Sequence, residues 1–118
     1  MIRATAYVLT VAVVLGVTLA IRYIRGGRWK LVGIVHGLVG ATGLGLLLLM
    51  LQGPRHGDAM GAGSFGIVAS VLFAIALAFG LIIPPAAARS VRAAGAVIAT
   101  HASLAITAFV LFLAWISL

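Results

Sequence analysis

Four apolar runs divide the chain, and three short polar breaks separate them. The runs are Ala4–Tyr23, Leu31–Leu51, Met60–Ile83 and Gly95–Leu118. Each is close to the roughly 20 residues that an α-helix needs to cross a hydrocarbon core. Lipid offers backbone amides no partners, so such runs must be helical. The breaks read RGGRWK, QGPRHGD and PPAAARS. Pro84 and Pro85 are expected to stop the third run, because proline has no N–H and its ring clashes with the preceding turn. Connectors this short make neighbours antiparallel. The pattern predicts an all-α integral membrane protein, one domain built as an up-down four-helix transmembrane bundle.

The first run follows Arg3 and has the outline of a secretory leader. No small-residue cleavage site precedes the cluster Arg22, Arg25, Arg28 and Lys30, which resists translocation, so the run is expected to remain as a span. Composition supports the membrane reading. Of 118 residues 64% are hydrophobic and 8% charged, with a mean hydropathy of +1.33; a soluble domain has about a quarter charged residues. This chain cannot cover a globular surface with polar groups, and its expected partner is the lipid bilayer.

The net charge is +7 with one acid, Asp58. The cations sit at the ends of apolar runs without aromatic–basic interleaving, so nucleic acid is not an expected partner. The first and third connectors hold Arg22, Arg25, Arg28, Lys30, Arg89 and Arg92, against Arg3 and Arg55 on the other side. This bias predicts cytoplasmic first and third connectors and both termini outside, in a bacterial inner membrane. The absence of cysteine excludes disulfides, thiolate ligation and covalent haem attachment. One carboxylate excludes a carboxylate pair, and no glycine-rich loop suggests a nucleotide.

Two histidines lie inside the runs. His36 is five residues past Leu31 and His101 six past Gly95. Spans two and four run parallel and diagonal in such a bundle, which puts both rings at one depth, about 7–9 Å from the cytoplasmic end. Helix positions three, four and seven away share a face. For His36 these include Gly33, Gly40 and Gly43; for His101 they include Ala94, Ala105 and Ala108. Each histidine thus stands on a stripe without bulky side chains, which leaves room for a flat macrocycle. Ionisable residues within spans are costly and functional by default. Two at matched depth favour axial ligation of one haem over a purely structural role or another function such as proton transfer. Arg28 and Arg92, just before spans two and four, are the expected propionate partners.

The stretches VHGLVGATGLGLLLL and THASLAITAFVLFLAW resemble the small four-helix membrane cytochromes b, of the cytochrome b561 kind. That resemblance implies one non-covalent haem b, ligated by His36 and His101, and electron exchange with a quinone or another small redox carrier. The protein would be an electron-transfer protein or a small haem oxidoreductase. Two-haem members need four span histidines; this chain has two, with His56 in the second connector. Two other functions compete. A small transporter or channel is disfavoured by the lack of any acid in the first span. An accessory subunit of a larger complex would dock through small-residue stripes; a homo-oligomer is a further expected partner. The stripes are Ala12, Gly16 and Ala20, and Gly63, Gly66, Ser70 and Ala74.

The remaining polar and aromatic residues have simpler readings. His56 and Asp58 make a solvated turn, since two ligands are a poor metal site. Trp29, Trp115, Tyr7 and Tyr23 are expected as interfacial anchors. Thr42, Ser103 and Thr107 are expected to bond their own helix carbonyls. Phe109 and Phe112 are expected in packing or lipid contact. The halves are loosely alike, each a helix, a basic turn and a second helix with an early histidine.

Overall fold

The computed structural model describes residues 1–54 and 57–118; Arg55 and His56, and with them the reading of His56 as a turn residue, lie outside the described residues. Four helices follow in order: α1 Ile2–Ile24, α2 Lys30–Met50, α3 Phe65–Arg89 and α4 Val91–Ser117. A single 3₁₀ turn, η1, covers Asp58–Met60. No strand occurs among the described residues. All four helices, with 23, 21, 25 and 27 residues, are long and apolar enough to cross a membrane. The protein is a four-span, all-α membrane protein. Its extents, 47 × 21 × 20 Å, are those of one bundle.

Local chemistry explains most helix ends. Gly26 takes a left-handed conformation at φ +79°. Its N–H donates to the Tyr23 carbonyl and that of Gly27 to the Arg22 carbonyl, both at 2.9 Å. This αL-terminated C-cap satisfies carbonyls that the helix end leaves open. The third helix departs from expectation at both ends. It starts at Phe65 rather than Met60, because the left-handed Gly61, at φ +72°, separates η1 from it. It also runs through Pro84 and Pro85 to Arg89. Proline's fixed φ suits a helix. The carbonyls left without α-helical donors, those of Gly80 and Leu81, lie near the end of the span, where neighbours or water can meet them.

Consequently the third connector shrinks to one extended residue, Ser90, at φ −165° and ψ 155°. Its hydroxyl accepts a 3.0 Å hydrogen bond from the Ala93 N–H and caps α4. The fourth helix therefore begins at Val91, four residues before the expected Gly95.

The bundle consists of two hairpins. The α3–α4 pair packs most extensively, α1–α2 next, and the two hairpins meet more thinly through α2–α3 and α1–α4. No Cα of α2 lies within 8 Å of one in α4, nor any of α1 within 8 Å of α3, so these pairs are the diagonals.

Packing is also uneven along the bundle. Leu9, Leu47, Met50, Ala69, Phe112 and Trp115 form the core, all toward the end away from the basic connectors. Trp115 is thus a core residue rather than an interfacial anchor. It fills the place of a missing side chain at Gly66, where a Cβ would stand 2.7 Å from the indole. Toward the basic end, over residues 13–24, 30–42, 77–89 and 91–107 of the helices, only the small residues Ala86 and Ala94 are buried. Half of the bundle is close-packed, and half is lined by small or partly exposed side chains.

The small-residue stripes are only partly used. Ala12, Gly66 and Ser70 are buried, Ala74 is exposed, and Gly63 precedes α3, where the Asp58 carboxylate lies against it. Thr42, Ser103 and Thr107 donate to the carbonyls of Leu38, Ala99 and Ser103, each at 2.8 Å, as their sequence positions predict.

Candidate functional site

The two span histidines meet at the boundary between the packed and the open half. Their ring centroids are 5.8 Å apart, with the ring planes at 81°. The pairing expected from matched depth on diagonal helices is therefore present. The depth itself differs from expectation on one side. His36 lies six residues into α2, about 9 Å along its axis. His101 lies ten residues into α4, about 15 Å, because that helix starts early.

Each ring is fixed by its hairpin partner. His36 Nδ1–H donates to the Ala12 carbonyl of α1 at 2.9 Å. His101 Nδ1–H donates to the Ala76 carbonyl of α3 at 2.7 Å. A carbonyl can only accept, so Nδ1 carries the proton in both rings. Nε2 then keeps its lone pair, the form in which imidazole binds a metal.

Glycine makes these bonds reachable. A helical carbonyl already accepts from the N–H four residues on. A ring that shares the Ala12 carbonyl must therefore approach across residue 16. A Cβ at Gly16 would stand 2.9 Å from His36 Cε1. The second hairpin repeats the device: a Cβ at Gly80 would stand 3.2 Å from His101 Cε1 and 3.3 Å from its Nδ1.

The repetition extends through the chain at an offset of 64 to 65 residues. Ala12 and Gly16 correspond to Ala76 and Gly80, and His36 to His101. The buried residues of α2, Gly43, Leu47 and Met50, correspond to Ala108, Phe112 and Trp115 of α4. Arg25 and Arg28 correspond to Arg89 and Arg92. Each hairpin contributes one ring, and the pair crosses the thin interface between hairpins.

The expected lining residues divide into two sets. At Gly33, Gly37 and Gly40 an added Cβ would meet nothing within 4 Å, so this face of α2 is open. Ala105 is half-buried on the corresponding face of α4. Gly43 is different: its space is filled by Leu9, whose Cδ2 would be 2.5 Å from a Cβ there. Gly43 therefore serves the α1–α2 contact. Ala108 and Ala94 are fully buried; Ala108 sits beside the core, and neither borders open space as expected. Arg28 and Arg92 are exposed at the basic end, eight and nine residues before their histidines.

Sequence reasoning missed Ala12, Gly16, Ala76 and Gly80 as partners of the histidines. The available signal was a repeated Ala-x-x-x-Gly, as AVVLG and ALAFG, each followed by a histidine 20 or 21 residues past its glycine. Among the described residues no three potential His, Cys, Asp or Glu ligands gather. Asp58 lies in η1, outside the spans. It lines a cavity of about 450 Å³ with Met50, Pro54, Ser64 and Trp115, at the end of the bundle away from the basic connectors.

This arrangement defines the class: a four-span, all-α membrane protein with a tautomer-fixed histidine pair between two repeated hairpins. No protein-family model matches the chain, and no curated protein or solved structure gives a significant match.

Proposed function

We propose that this protein is a membrane-bound b-type cytochrome. It holds one haem b between α2 and α4 with His36 and His101 as axial ligands, and it transfers electrons. One observation carries the reading. Two imidazoles with engaged Nδ1–H groups meet across the hairpin interface, where close packing gives way to small side chains. Metal-ligating histidines almost always donate their other N–H to a carbonyl, carboxylate or water. The ring centroids, 5.8 Å apart, are near enough for both imidazoles to reach one metal ion. At Gly33, Gly37 and Gly40 the surface of α2 is open, which leaves room for a flat group beside His36.

When bound, haem would supply a one-electron couple at its iron, and His36 and His101 would hold it. The chain does the rest. Ala12 and Ala76 hold the rings in the ligating tautomer, and Gly16 and Gly80 admit them to those carbonyls. The apolar spans exclude bulk water. Arg28 and Arg92 would meet the propionates at the basic end. Electron exchange would be with a quinone, another small carrier or a redox partner protein. We read the bias of Lys and Arg as putting the basic connectors in the cytoplasm and both termini outside, with a bacterial inner membrane as the proposed location.

The test is the visible spectrum of protein purified after expression with adequate haem, oxidised and then reduced with dithionite, with a pyridine haemochrome count. The expected result is a low-spin b-type spectrum at about one haem per chain, lost in His36→Ala and in His101→Ala. A colourless protein overturns the proposal.

A further inference from the structure

The basic end of the bundle carries more cations than Arg28 and Arg92, the two proposed to meet the propionates. Six of the eight Lys and Arg residues lie there: Arg22, Arg25, Arg28, Lys30, Arg89 and Arg92. Among the described residues none has an ion-pair partner, and the one acidic side chain, Asp58, is at the opposite end. The two basic connectors form one surface. Tyr23 at the end of α1 donates from its hydroxyl to the Val91 carbonyl at the start of α4, at 3.5 Å.

One cation in this set is held in place. The Arg22 side chain runs across Gly27, where a Cβ would come within 2.8 Å of its Nε and 3.0 Å of its Cδ and Cγ. Its guanidinium lies over the Trp29 ring, 4.6 Å from the centroid. The indole covers one face of the guanidinium and leaves its planar fork of N–H groups for an anion. Such a fork matches a phosphate in bidentate fashion, and a pre-organised one loses little freedom on binding. Trp29 is 44% exposed and flanks a span, the position of an interfacial indole.

The same level of the bundle also exposes large apolar side chains: Ile24 at 82%, Leu31 at 73% and Val91 at 76%. A free phosphate or an acidic soluble protein would meet the cations and leave these apolar groups uncovered. An amphiphile meets both. We propose that Arg22, fixed by Gly27 and Trp29 within the shared basic surface, binds the phosphate of an anionic phospholipid whose acyl chains cover Ile24, Leu31 and Val91. Basic surfaces at the cytoplasmic ends of spans are a recurrent form of such recognition. The site is built on Arg22, Gly27 and Trp29 and uses neither histidine.

The test uses the full chain in detergent, delipidated and titrated with phosphatidylglycerol or phosphatidylcholine, with bound lipid counted by native mass spectrometry. Arg22→Gln removes the fork, and Arg3→Gln makes the same charge change at the other end. Gly27→Ala keeps every charge and displaces Arg22. The wild type should retain phosphatidylglycerol over phosphatidylcholine. Affinity should fall roughly tenfold or more in Arg22→Gln, as for loss of a charged hydrogen-bond partner. It should fall in Gly27→Ala and hold in Arg3→Gln. Equal binding of both lipids by the wild type overturns the proposal. So does an equal loss in Arg22→Gln and Arg3→Gln, which would mean diffuse attraction only. Displacement of the lipid by inorganic phosphate or by an acidic protein at comparable concentration also overturns it. The wild-type lipid comparison and Gly27→Ala decide the matter if Arg22→Gln fails to fold.

Discussion

Gly16→Ala tests whether the close approach of His36 to α1 is a designed contact. The new Cβ would stand 2.9 Å from His36 Cε1. Ordinary carbon–carbon contacts lie at about 3.5–4.0 Å, so the ring must retreat by roughly 0.6 Å. The Nδ1···O bond to Ala12, now 2.9 Å, would stretch toward the distance at which a hydrogen bond is lost. Leaving an imidazole N–H unpaired in apolar surroundings costs about 1–3 kcal/mol. Alanine also favours a helix over glycine by up to about 1 kcal/mol, which would hide part of that loss.

Gly33→Ala supplies the correction, because it makes the same helix gain and its Cβ meets nothing within 4 Å. The stability difference between the two variants therefore reads the ring contact alone, and should be about 1–3 kcal/mol against Gly16→Ala. The assay is unfolding in detergent followed by far-ultraviolet circular dichroism. Nitrogen-15 labelling of histidine should show the hydrogen-bonded Nδ1–H signal of His36 moving in Gly16→Ala and unmoved in Gly33→Ala. Two variants of equal stability with unchanged imidazole signals would refute the reasoning.

Other substitutions probe other parts of the bundle by the same unfolding assay. Gly43→Ala drives a Cβ to 2.5 Å from Leu9 Cδ2 and should destabilise the α1–α2 hairpin by about 1–3 kcal/mol; Leu9→Val added to it should restore part of the loss. Ser90→Ala removes the hydroxyl that caps Ala93 and should cost about 0.5–2 kcal/mol, with Ser90→Asp retaining most of the stability. Gly40→Leu places a side chain in open space; on the cytochrome reading it should lower the haem count per chain while the haem-free protein melts as the wild type does.

The hydrophobic pattern made the helices legible, since lipid leaves a long apolar run one conformation. Their order and short connectors then put His36 and His101 on parallel diagonal helices. The ends of α3 were less legible. Proline is a strong stop signal in water, but near the end of a span the two carbonyls that Pro84 and Pro85 leave without donors can be met by neighbours or water, and the helix runs on. Trp115 was misplaced because an indole near a chain end reads as an interfacial anchor. The space that holds it belongs to Gly66, on another helix, which no local pattern in α4 reveals. The same limit hid Ala12 and Ala76. A carbonyl acceptor has no sequence signature, and only the glycine four residues on marks it. That mark became visible when both hairpins were seen to carry it.

The repeated device bears on why the histidines are paired at all. Each ring is anchored within its own hairpin, to α1 or to α3, so neither needs the other for a hydrogen-bond partner. Yet the fixed tautomer leaves the lone pair on Nε2 in each ring, and the ring centroids are only 5.8 Å apart. A structural histidine needs only its one bond to a carbonyl. Two tautomer-fixed rings 5.8 Å apart are what the proposed shared metal would require. The hairpins meet thinly, and toward the basic end the side chains are small or partly exposed. A site assembled from two halves depends on both, and a substitution that weakens either anchoring carbonyl should disturb the joint site rather than one ligand alone.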